Sequence, residues 1–300
     1  MEYRNIFLAN PARLSVQREQ LVIEQAEKIT VPLEDISSVL IESQQVTLSV
    51  HAAAAMADHG ITVFLCDEKH LPSCQLLPIN QFCRQRKLLL SQCEMGKPLQ
   101  KQLWQQTVKA KIDNQAAVLA QCAGAETGCM RRWSADVRSG DADYLEGRAA
   151  AYYWKNLFDG ISGLESFTRD RQGMPPNNLL NYGYAILRAV IARSLVSSGL
   201  LPTLGIHHHN RYNAYCLADD IMEPYRPYVD ELVYGIAAEY GIDIPDDITK
   251  DLKMRLLGIP VIEVKIGGKR SPLMVAATQT TASLYKCFTG EVRRIAYPEM

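Results

Sequence analysis

Residues 143–154 read DYLEGRAAAYYW, and this stretch decides the helical character of the larger part of the chain. In a helix, Ala149, Ala150 and Tyr153 lie three, four and seven positions after Glu146 and so share its face. The carboxylate of Glu146 is therefore expected along an apolar face. Burying an ionised carboxylate without a partner is costly, so the fold should place a cation or a strong hydrogen-bond donor beside it.

A second acidic cluster lies in residues 217–227, which read LADDIMEPYRP. Asp220 and Glu223 are three positions apart, so on one helix they are neighbouring like charges that destabilise it unless a positive group lies between them. Upstream, residues 205–210 (GIHHHN) add imidazoles, of which His208 is the candidate ligand. Together with the buried acid described above, these residues predict a site for Mg²⁺ or Mn²⁺, since oxygen ligands with one nitrogen suit these ions.

Each of these residues also has a structural explanation. Glu146 can hydrogen-bond a buried tyrosine or arginine, and Glu223 can pair with Arg148 or Arg226. A histidine taken alone is more often a loop or core residue than a metal ligand. The combination of a buried acid, a histidine-bearing turn and an acid pair has few purely structural explanations, and it favours the metal site.

The composition is that of a soluble globular protein: 300 residues, 47% hydrophobic and 22% charged. No run approaches ~18 consecutive apolar residues, and the N-terminus lacks a basic region followed by an apolar stretch. We therefore expect no transmembrane helix, no signal peptide and a cytoplasmic location. The eight cysteines include no C-x-x-C pair, which favours reduced core thiols over disulfides or a zinc site.

The formal net charge is −1, but the charges are segregated along the chain. Two regions are basic: residues 76–133 hold nine basic and three acidic residues, and residues 252–300 hold eight basic and three acidic residues. The region between them at 214–251 is acidic, with ten acidic and two basic residues. Basic flanks around an acidic, metal-binding centre suit a polyanion such as DNA. The candidate DNA contacts in the basic regions are Arg84, Arg86, Lys87, Arg131, Arg132, Lys269 and Arg270.

The pattern along the chain predicts an α+β protein with three parts. Residues 1–77 form a β-rich domain, 78–97 a linker with a first basic helix, and 98–300 a larger all-α catalytic domain. In the first part we expect strands at 6–8, 21–23, 29–31, 39–41 and 61–66, and a helix at 48–59 that ends at Gly60. The later helices are expected at 81–92, 98–122, 143–158, 177–198, 214–223, 229–240 and 248–257, with a polar loop at 163–176.

Several stretches, in their order and spacing, resemble the Cas1 family of CRISPR-associated spacer-acquisition integrases, and most closely its type II branch. The resemblance covers nearly the whole chain. The matching stretches are LEDI at 33–36, CDEKHLP at 66–72, KIDNQ at 111–115, EGRAA at 146–150, NLLNYGY at 178–184, GIHH at 205–208 and DIMEPYRP at 220–227.

The resemblance implies the role of each site residue. Glu146, His208 and Glu223 would hold the metal ion, and Asp220 matches an acid that supports or joins the site. His207 and His209 flank His208, so the assignment depends on the correct register of the turn.

The resemblance also implies an assembly and an activity. The β-rich domain would build a homodimer, and two dimers bridged by the small partner Cas2 would hold a short double-stranded DNA. The enzyme would be a metal-dependent endonuclease and integrase of CRISPR adaptation, an antiviral defence, which joins 3′-hydroxyl ends into the leader and repeat of the CRISPR array. The reaction would be a transesterification by in-line attack on a phosphodiester, in which His207 or His209 is a candidate proton relay.

Two other classes of function fit part of the sequence. A general metal-dependent phosphodiesterase or zinc hydrolase would share the histidine and the acids, but would need neither a dimerising β-domain nor a basic helical face. A non-catalytic scaffold that binds DNA ends would keep the acids for architecture. Joining of DNA that survives Glu146→Ala distinguishes the scaffold from the integrase.

Overall fold

The computed structural model describes residues 4–66, 72–76, 90–198 and 200–300. These residues divide into two compact units, one within residues 1–84 and the other within residues 85–300. The first unit is rich in β-strands and the second is mainly helical, which confirms the α+β class. No helix in the described ranges has the length and apolar character needed to cross a bilayer.

In its described residues, the first unit contains two four-stranded sheets and one α-helix. Strands β1 (Arg4–Leu8), β5 (Ile36–Ile41) and β7 (Thr62–Cys66) are parallel, and β8 (Pro72–Leu76) pairs antiparallel with β7. In the other sheet, β2 (Ala12–Gln17), β3 (Gln20–Glu24) and β4 (Lys28–Pro32) form an antiparallel meander, and β6 (Val46–Leu48) runs parallel to β2. Apolar residues from these strands form one buried core.

Helix α1 (Val50–Asp58) in the first unit begins and ends where its sequence signals lie. The Ser49 hydroxyl accepts a hydrogen bond from the backbone N–H of Ala52 at 3.1 Å, which is the usual N-cap arrangement. Gly60 follows with φ of 69°, a left-handed conformation that ends helices at little cost for glycine. The predicted helix at 48–59 is thus confirmed, with ends within two residues.

The second unit is built around helix α2 (Lys97–Ala123), which contacts most of the elements that carry site residues. The following helices are α3 (Gly128–Asp136), α4 (Leu145–Leu157), α5 (Asn177–Ser197), α6 (Cys216–Met222), α7 (Arg226–Tyr240), α8 (Lys250–Leu256) and α9 (Leu273–Phe288). Helix α2 packs on α3, α4 and α7 and on the short 3₁₀ turn Glu223–Tyr225. This packing brings distant parts of the chain to one face of α2.

The second unit departs from the all-α expectation at one place in the described ranges. Strands β9 (Glu263–Ile266) and β10 (Lys269–Pro272) form an antiparallel hairpin that turns through Gly267 and Gly268. Both glycines have positive φ, which explains why the chain can reverse there. Side chains alternate between exposed and buried along β9, a period of two that is too short to stand out among helical patterns.

The cysteines of the described residues are all free thiols, and Cys66, Cys216 and Cys287 are buried. Cys74 and Cys93 are exposed, so the thiols are not confined to the core. Most of the helix expected at 81–92 lies outside the described residues.

Candidate metal centre

Glu146 lies in the first turn of α4, and its backbone is held by a buried acid from the preceding loop. The Asp141 carboxylate accepts hydrogen bonds from the N–H groups of Leu145 at 2.9 Å and Glu146 at 3.1 Å. A carboxylate at a helix N-terminus satisfies donors that have no partner within the helix. Asp141 therefore fixes where the Glu146 side chain begins, although the sequence pattern did not identify it.

The two glutamates of the candidate site converge on one lysine. Nζ of Lys111 lies 2.5 Å from Oε1 of Glu146 and 2.6 Å from Oε2 of Glu223. Lys111 projects from α2, and its side chain is only 10% exposed. Glu146 is only partly buried, with 26% of its side chain exposed, and the cation expected beside it is supplied from a part of the sequence 35 residues away.

The electrostatics of this cluster favour the charged forms of Lys111 and Glu223. Burial alone would lower the pKa of Lys111, but the carboxylates of Glu223 and Glu146 outweigh it and leave the pKa above its ordinary value. Burial alone would raise the pKa of Glu223, but Arg226 and Lys111 bring it below its usual range. Nε of Arg226 lies 3.0 Å from Oε1 of Glu223, which realises the structural pairing expected for that arginine.

Asp220 and Glu223 contact different partners. Helix α6 ends at Met222, and Glu223 begins a 3₁₀ turn, so the two carboxylates face different partners. Asp220 is fully buried and accepts hydrogen bonds from the backbone N–H groups of Ile206 at 2.6 Å, His207 at 2.9 Å and His208 at 3.2 Å. Its charge is satisfied by the histidine-bearing loop.

The same carboxylate holds the ring of His208. Nδ1 of His208 lies 2.6 Å from Oδ1 of Asp220. An ionised carboxylate only accepts hydrogen bonds, so Nδ1 is the donor and Nε2 is the nitrogen available to a metal ion. The hydrogen bond that Nδ1 donates to Asp220 raises the pKa of His208 above its ordinary value.

The flanking histidines have different surroundings. The ring of His207 stacks on Trp104 of α2, with centroids 4.0 Å apart and planes 3° from parallel. Burial lowers the pKa of His207. His209 is exposed. Of the three histidines, His208 is therefore the one whose ring is held by a buried carboxylate, while His207 is held by an aromatic ring.

The loop that carries His208 can form only because residue 205 is glycine. A Cβ atom at Gly205 would lie 2.2 Å from the carbonyl oxygen of His208 and 3.0 Å from Oδ2 of Asp220. Both are closer than van der Waals contact allows. The backbone of His208 and the Asp220 carboxylate approach residue 205 closely. This approach explains why the residue three positions before His208 is glycine.

The donor set suits a hard divalent ion, but a cation already lies between its two carboxylates. Two carboxylates and an imidazole are ligands that Mg²⁺ or Mn²⁺ accepts. In the described residues, no group of three His, Cys, Asp or Glu side chains is arranged around a common point close enough to hold an ion. The point between Glu146 and Glu223 is taken by the Lys111 ammonium. The residue types fit the metal, and the present arrangement is one in which lysine neutralises them.

A basic cavity of about 630 Å³ opens beside His208. Four arginines line it: Arg169, Arg171, Arg188 and Arg226. Arg188 is paired with Asp219, whose carboxylate accepts hydrogen bonds from Nε at 2.6 Å and from Nη2 at 2.5 Å. Sequence reasoning placed none of these arginines in a DNA site, because they lie in an acidic or neutral part of the chain.

The candidate DNA contacts have varied surroundings. Arg131 and Arg132 are exposed on α3, and Lys269 and Arg270 are exposed on β10. Nη1 of Arg270 lies 2.8 Å from Oε1 of Glu263 on the paired strand, so part of its charge is cancelled. The other three, Arg84, Arg86 and Lys87, lie outside the described residues.

Comparison with known proteins points to one family. The model of the family described as CRISPR associated protein Cas1 matches residues 6–258. The chain is 36% identical to a CRISPR-associated endonuclease Cas1 from Neisseria meningitidis, over all of this chain and 97% of that protein. It is 26% identical to a CRISPR-associated endonuclease Cas1 from Pyrobaculum aerophilum, over 92% of this chain and 95% of that one.

The solved structures show the same fold. A Cas1 protein from Thermotoga maritima superposes with a TM-score of 0.78 at 15% identity, over 99% of this chain and all of that chain. A casposase bound to an integration product superposes with a TM-score of 0.80 at 19% identity, over 98% of this chain and 92% of that chain. With this match of sequence and fold along its length, the chain belongs to the Cas1 family of CRISPR-associated endonucleases.

Proposed function

We propose that this chain is the metal-dependent integrase of CRISPR adaptation, which joins the 3′-hydroxyl ends of short duplex DNA to a CRISPR array by transesterification. The observation that carries the proposal is the convergence of Glu146 and Glu223 on a single cation. Beside it stands an imidazole whose Nδ1 is bound to a buried acid. These are the groups needed to hold Mg²⁺ or Mn²⁺ beside a phosphodiester.

In this proposal Glu146, Glu223 and Nε2 of His208 bind the ion, and Asp220 acts as a positioning residue. The ion would neutralise charge on the phosphodiester and on its leaving oxygen. Asp220 would keep the Nδ1 proton in place and so present Nε2 in one orientation. Trp104 would restrict His207, whose pKa is lowered by burial, and this neutral imidazole is suited to accept a proton from an attacking hydroxyl.

The DNA would reach the site over basic surfaces of the second unit. Arg131 and Arg132 are exposed on α3, and guanidinium groups bind phosphates through paired N–H donors. The cavity lined by Arg169, Arg171 and Arg226 lies next to His208, so a phosphate bound there would be close to the ion. Such contacts are independent of base sequence and weaken with salt.

The partners follow from the family. One solved relative is a complex that contains Cas1 and Cas2, and this chain superposes on 35% of that chain with a TM-score of 0.74 at 20% identity. We infer that this chain binds Cas2 and double-stranded DNA, and that it forms a homodimer through its β-rich unit. In the β-rich unit, strand β4 lies at a sheet edge and exposes half of the Ile29 side chain, which is a surface that dimerisation would cover.

The deciding experiment is strand transfer of a short 3′-hydroxyl duplex into a supercoiled plasmid that carries a leader and a repeat. It is run with Cas2, in Mn²⁺, Mg²⁺ or EDTA, for the wild type and for Glu146→Gln and His208→Ala. Metal-dependent joining that both substitutions abolish supports the proposal. Joining that persists in EDTA, or in both variants, contradicts it.

The same experiment separates the other two functions. A general phosphodiesterase would hydrolyse small phosphodiester substrates without Cas2 and without a leader. A DNA-end scaffold would bind the duplex tightly in every variant, and any joining that it assists would survive both substitutions. The scaffold is the less suitable alternative, because a scaffold gains nothing from two carboxylates that converge on one cation or from an imidazole oriented by a buried acid.

A further inference from the structure

Lys111 lies where the proposed metal ion would bind. Its ammonium contacts Glu146 at 2.5 Å and Glu223 at 2.6 Å, the two carboxylates assigned to the ion. If Lys111 only linked α2 to one neighbouring element, an ion pair with one carboxylate would be enough. Here one ammonium bridges α4 and the turn that follows α6, as a metal ion would.

The charges of the cluster make simultaneous binding of lysine and metal unfavourable. Glu146 and Glu223 carry two negative charges, and Lys111 and Arg226 carry two positive charges, so the four side chains together are neutral. A divalent ion added to this neutral group would meet an ammonium at contact distance. Like charges at such distances in a poorly solvated site repel strongly.

Of the two cations, Lys111 is the one that can leave. The Arg226 guanidinium lies 4.6 Å from the centre of the Tyr184 ring as well as against Glu223, so it is held on two sides. Lysine has a flexible four-carbon stem and a compact ammonium that water solvates well. The Lys111 side chain is not sealed in, since 10% of it is exposed and Glu146 beside it is 26% exposed. Rotation about this flexible stem is the motion that would release Nζ from the two carboxylates.

We propose that metal binding at this site is a cation exchange, in which the Lys111 ammonium holds Glu146 and Glu223 together until a divalent ion displaces it. Lys111 is then a positioning residue that keeps two like charges in place without metal. The inference rests on the proposed function, since it assumes that Glu146 and Glu223 are the metal ligands. It predicts that the lysine weakens metal binding while it stabilises the metal-free protein.

The test measures Mn²⁺ binding to the full chain by titration calorimetry, without DNA. Lys111→Met removes the competing cation and keeps the length and packing of the stem. We expect its apparent dissociation constant for Mn²⁺ to fall on the order of tenfold, because the ion no longer displaces an ion pair. Lys101→Met, at an exposed lysine of the same helix, is the matched control and is expected to bind Mn²⁺ as the wild type does.

Thermal unfolding gives a second readout that does not depend on activity. Without metal, Lys111→Met leaves the partly buried Glu146 without its cation and Glu223 with Arg226, so its melting temperature should be lower than that of the wild type. Saturating Mn²⁺ should then raise the melting temperature of Lys111→Met by more than it raises that of the wild type. A purely structural lysine predicts a loss of stability that Mn²⁺ does not restore.

Lys111→Arg keeps a positive charge and is the second variant for the Mn²⁺ titration, to be used if Lys111→Met does not fold. A guanidinium that binds two carboxylates through paired donors is harder to displace, so Mn²⁺ binding should be weaker than in the wild type. Unchanged or weaker Mn²⁺ binding in a folded Lys111→Met, or unchanged binding in Lys111→Arg, overturns the exchange.

Failure of the proposed metal site is distinguishable from failure of the exchange. If the wild type binds Mn²⁺ and Glu146→Gln does not, the metal site is supported, whatever the result for the Lys111 variants. Wild type that does not bind Mn²⁺, or that binds it as tightly as Glu146→Gln does, contradicts both proposals.

Discussion

Nδ1 of His208 lies 2.6 Å from Oδ1 of Asp220, and this contact joins a half-exposed imidazole to a carboxylate that is fully buried. The same carboxylate binds three successive backbone N–H groups of residues 206–208. One acid thus sets both the path of the loop and the orientation of the ring. Asp220 acts on the site through His208, whereas Glu146 and Glu223 face the position of the cation directly.

Asp220→Asn should weaken metal binding and DNA joining without abolishing them. The amide keeps the size of the side chain but offers one acceptor oxygen in place of two, so the ring and the loop lose part of their support. Partners of a ligand histidine typically contribute about 10- to 100-fold to metal affinity or activity. The measurements are a Mn²⁺ titration and the strand-transfer rate, and a variant as active as the wild type would contradict this role.

Glu146→Gln and Glu223→Gln should each reduce strand transfer by more than Asp220→Asn does. Each removes one negative charge that faces the ion while keeping the shape of the side chain. Glu239→Gln is the control, because Glu239 is exposed and pairs with Arg255 on the surface. Rates are compared at saturating Mn²⁺ and Cas2. Equal strand-transfer rates for Glu146→Gln and Glu239→Gln would show that Glu146 is not a metal ligand.

Gly205→Ala should destabilise the loop and displace His208. The added Cβ would lie 2.2 Å from the carbonyl oxygen of His208, so the backbone must shift. Forcing extra volume into a packed site typically costs about 1–3 kcal/mol of unfolding free energy. The matched control is Gly235→Ala on α7, where a Cβ meets no atom within 4 Å and should stabilise the helix by roughly 0.5–1 kcal/mol. Urea unfolding of both variants measures the difference, and two equal effects would contradict the prediction.

The stability of the protein should depend on Asp230 between about pH 4 and pH 7. Burial raises the pKa of Asp230 to about 7, although its carboxylate accepts hydrogen bonds from the hydroxyls of Tyr153 and Tyr184. Because the pKa in the folded protein lies above that in the unfolded chain, the folded protein holds the proton more tightly in this range. The unfolding free energy therefore falls as the pH rises.

Asp230→Asn removes this titration and isolates its effect. The wild type should lose stability relative to the variant by up to about 1.4 kcal/mol per pH unit across the window. The measurement is the unfolding free energy of both proteins from pH 4 to pH 7. Parallel curves for the two proteins would show that Asp230 does not take up a proton in this range.

The double substitution Arg131→Gln, Arg132→Gln should weaken duplex binding and make the binding affinity less dependent on salt concentration. Each lost phosphate contact is expected to reduce the slope of log affinity against log salt by about 0.9. Arg255→Gln is the control, because Nη1 of Arg255 lies 2.7 Å from Oε2 of Glu239 and its charge is already paired. Fluorescence anisotropy over a range of salt concentrations measures the slope, and a slope that the double substitution leaves unchanged would exclude these arginines.

The helical elements were predictable where the apolar period is long. The helices expected at 98–122, 143–158 and 177–198 correspond to α2, α4 and α5, with ends within three residues. Helix α3 was missed because its nine residues begin with glycine and carry two adjacent arginines. Helix α9 was also missed, since threonine and alanine fill much of its length and give a weak pattern.

The sequence by itself determined the β-rich then helical order of the chain and the presence of an acid on an apolar helix face, because both depend on local periodicity. Only the tertiary structure decided which groups meet that acid. Lys111 and Glu146 are 35 positions apart, and they meet because α2 and α4 pack together. Asp220 and Glu223 lie three positions apart, yet a helix end between them turns one toward His208 and the other toward Lys111. Local spacing brings side chains to a face, whereas the choice of partner depends on packing between distant segments.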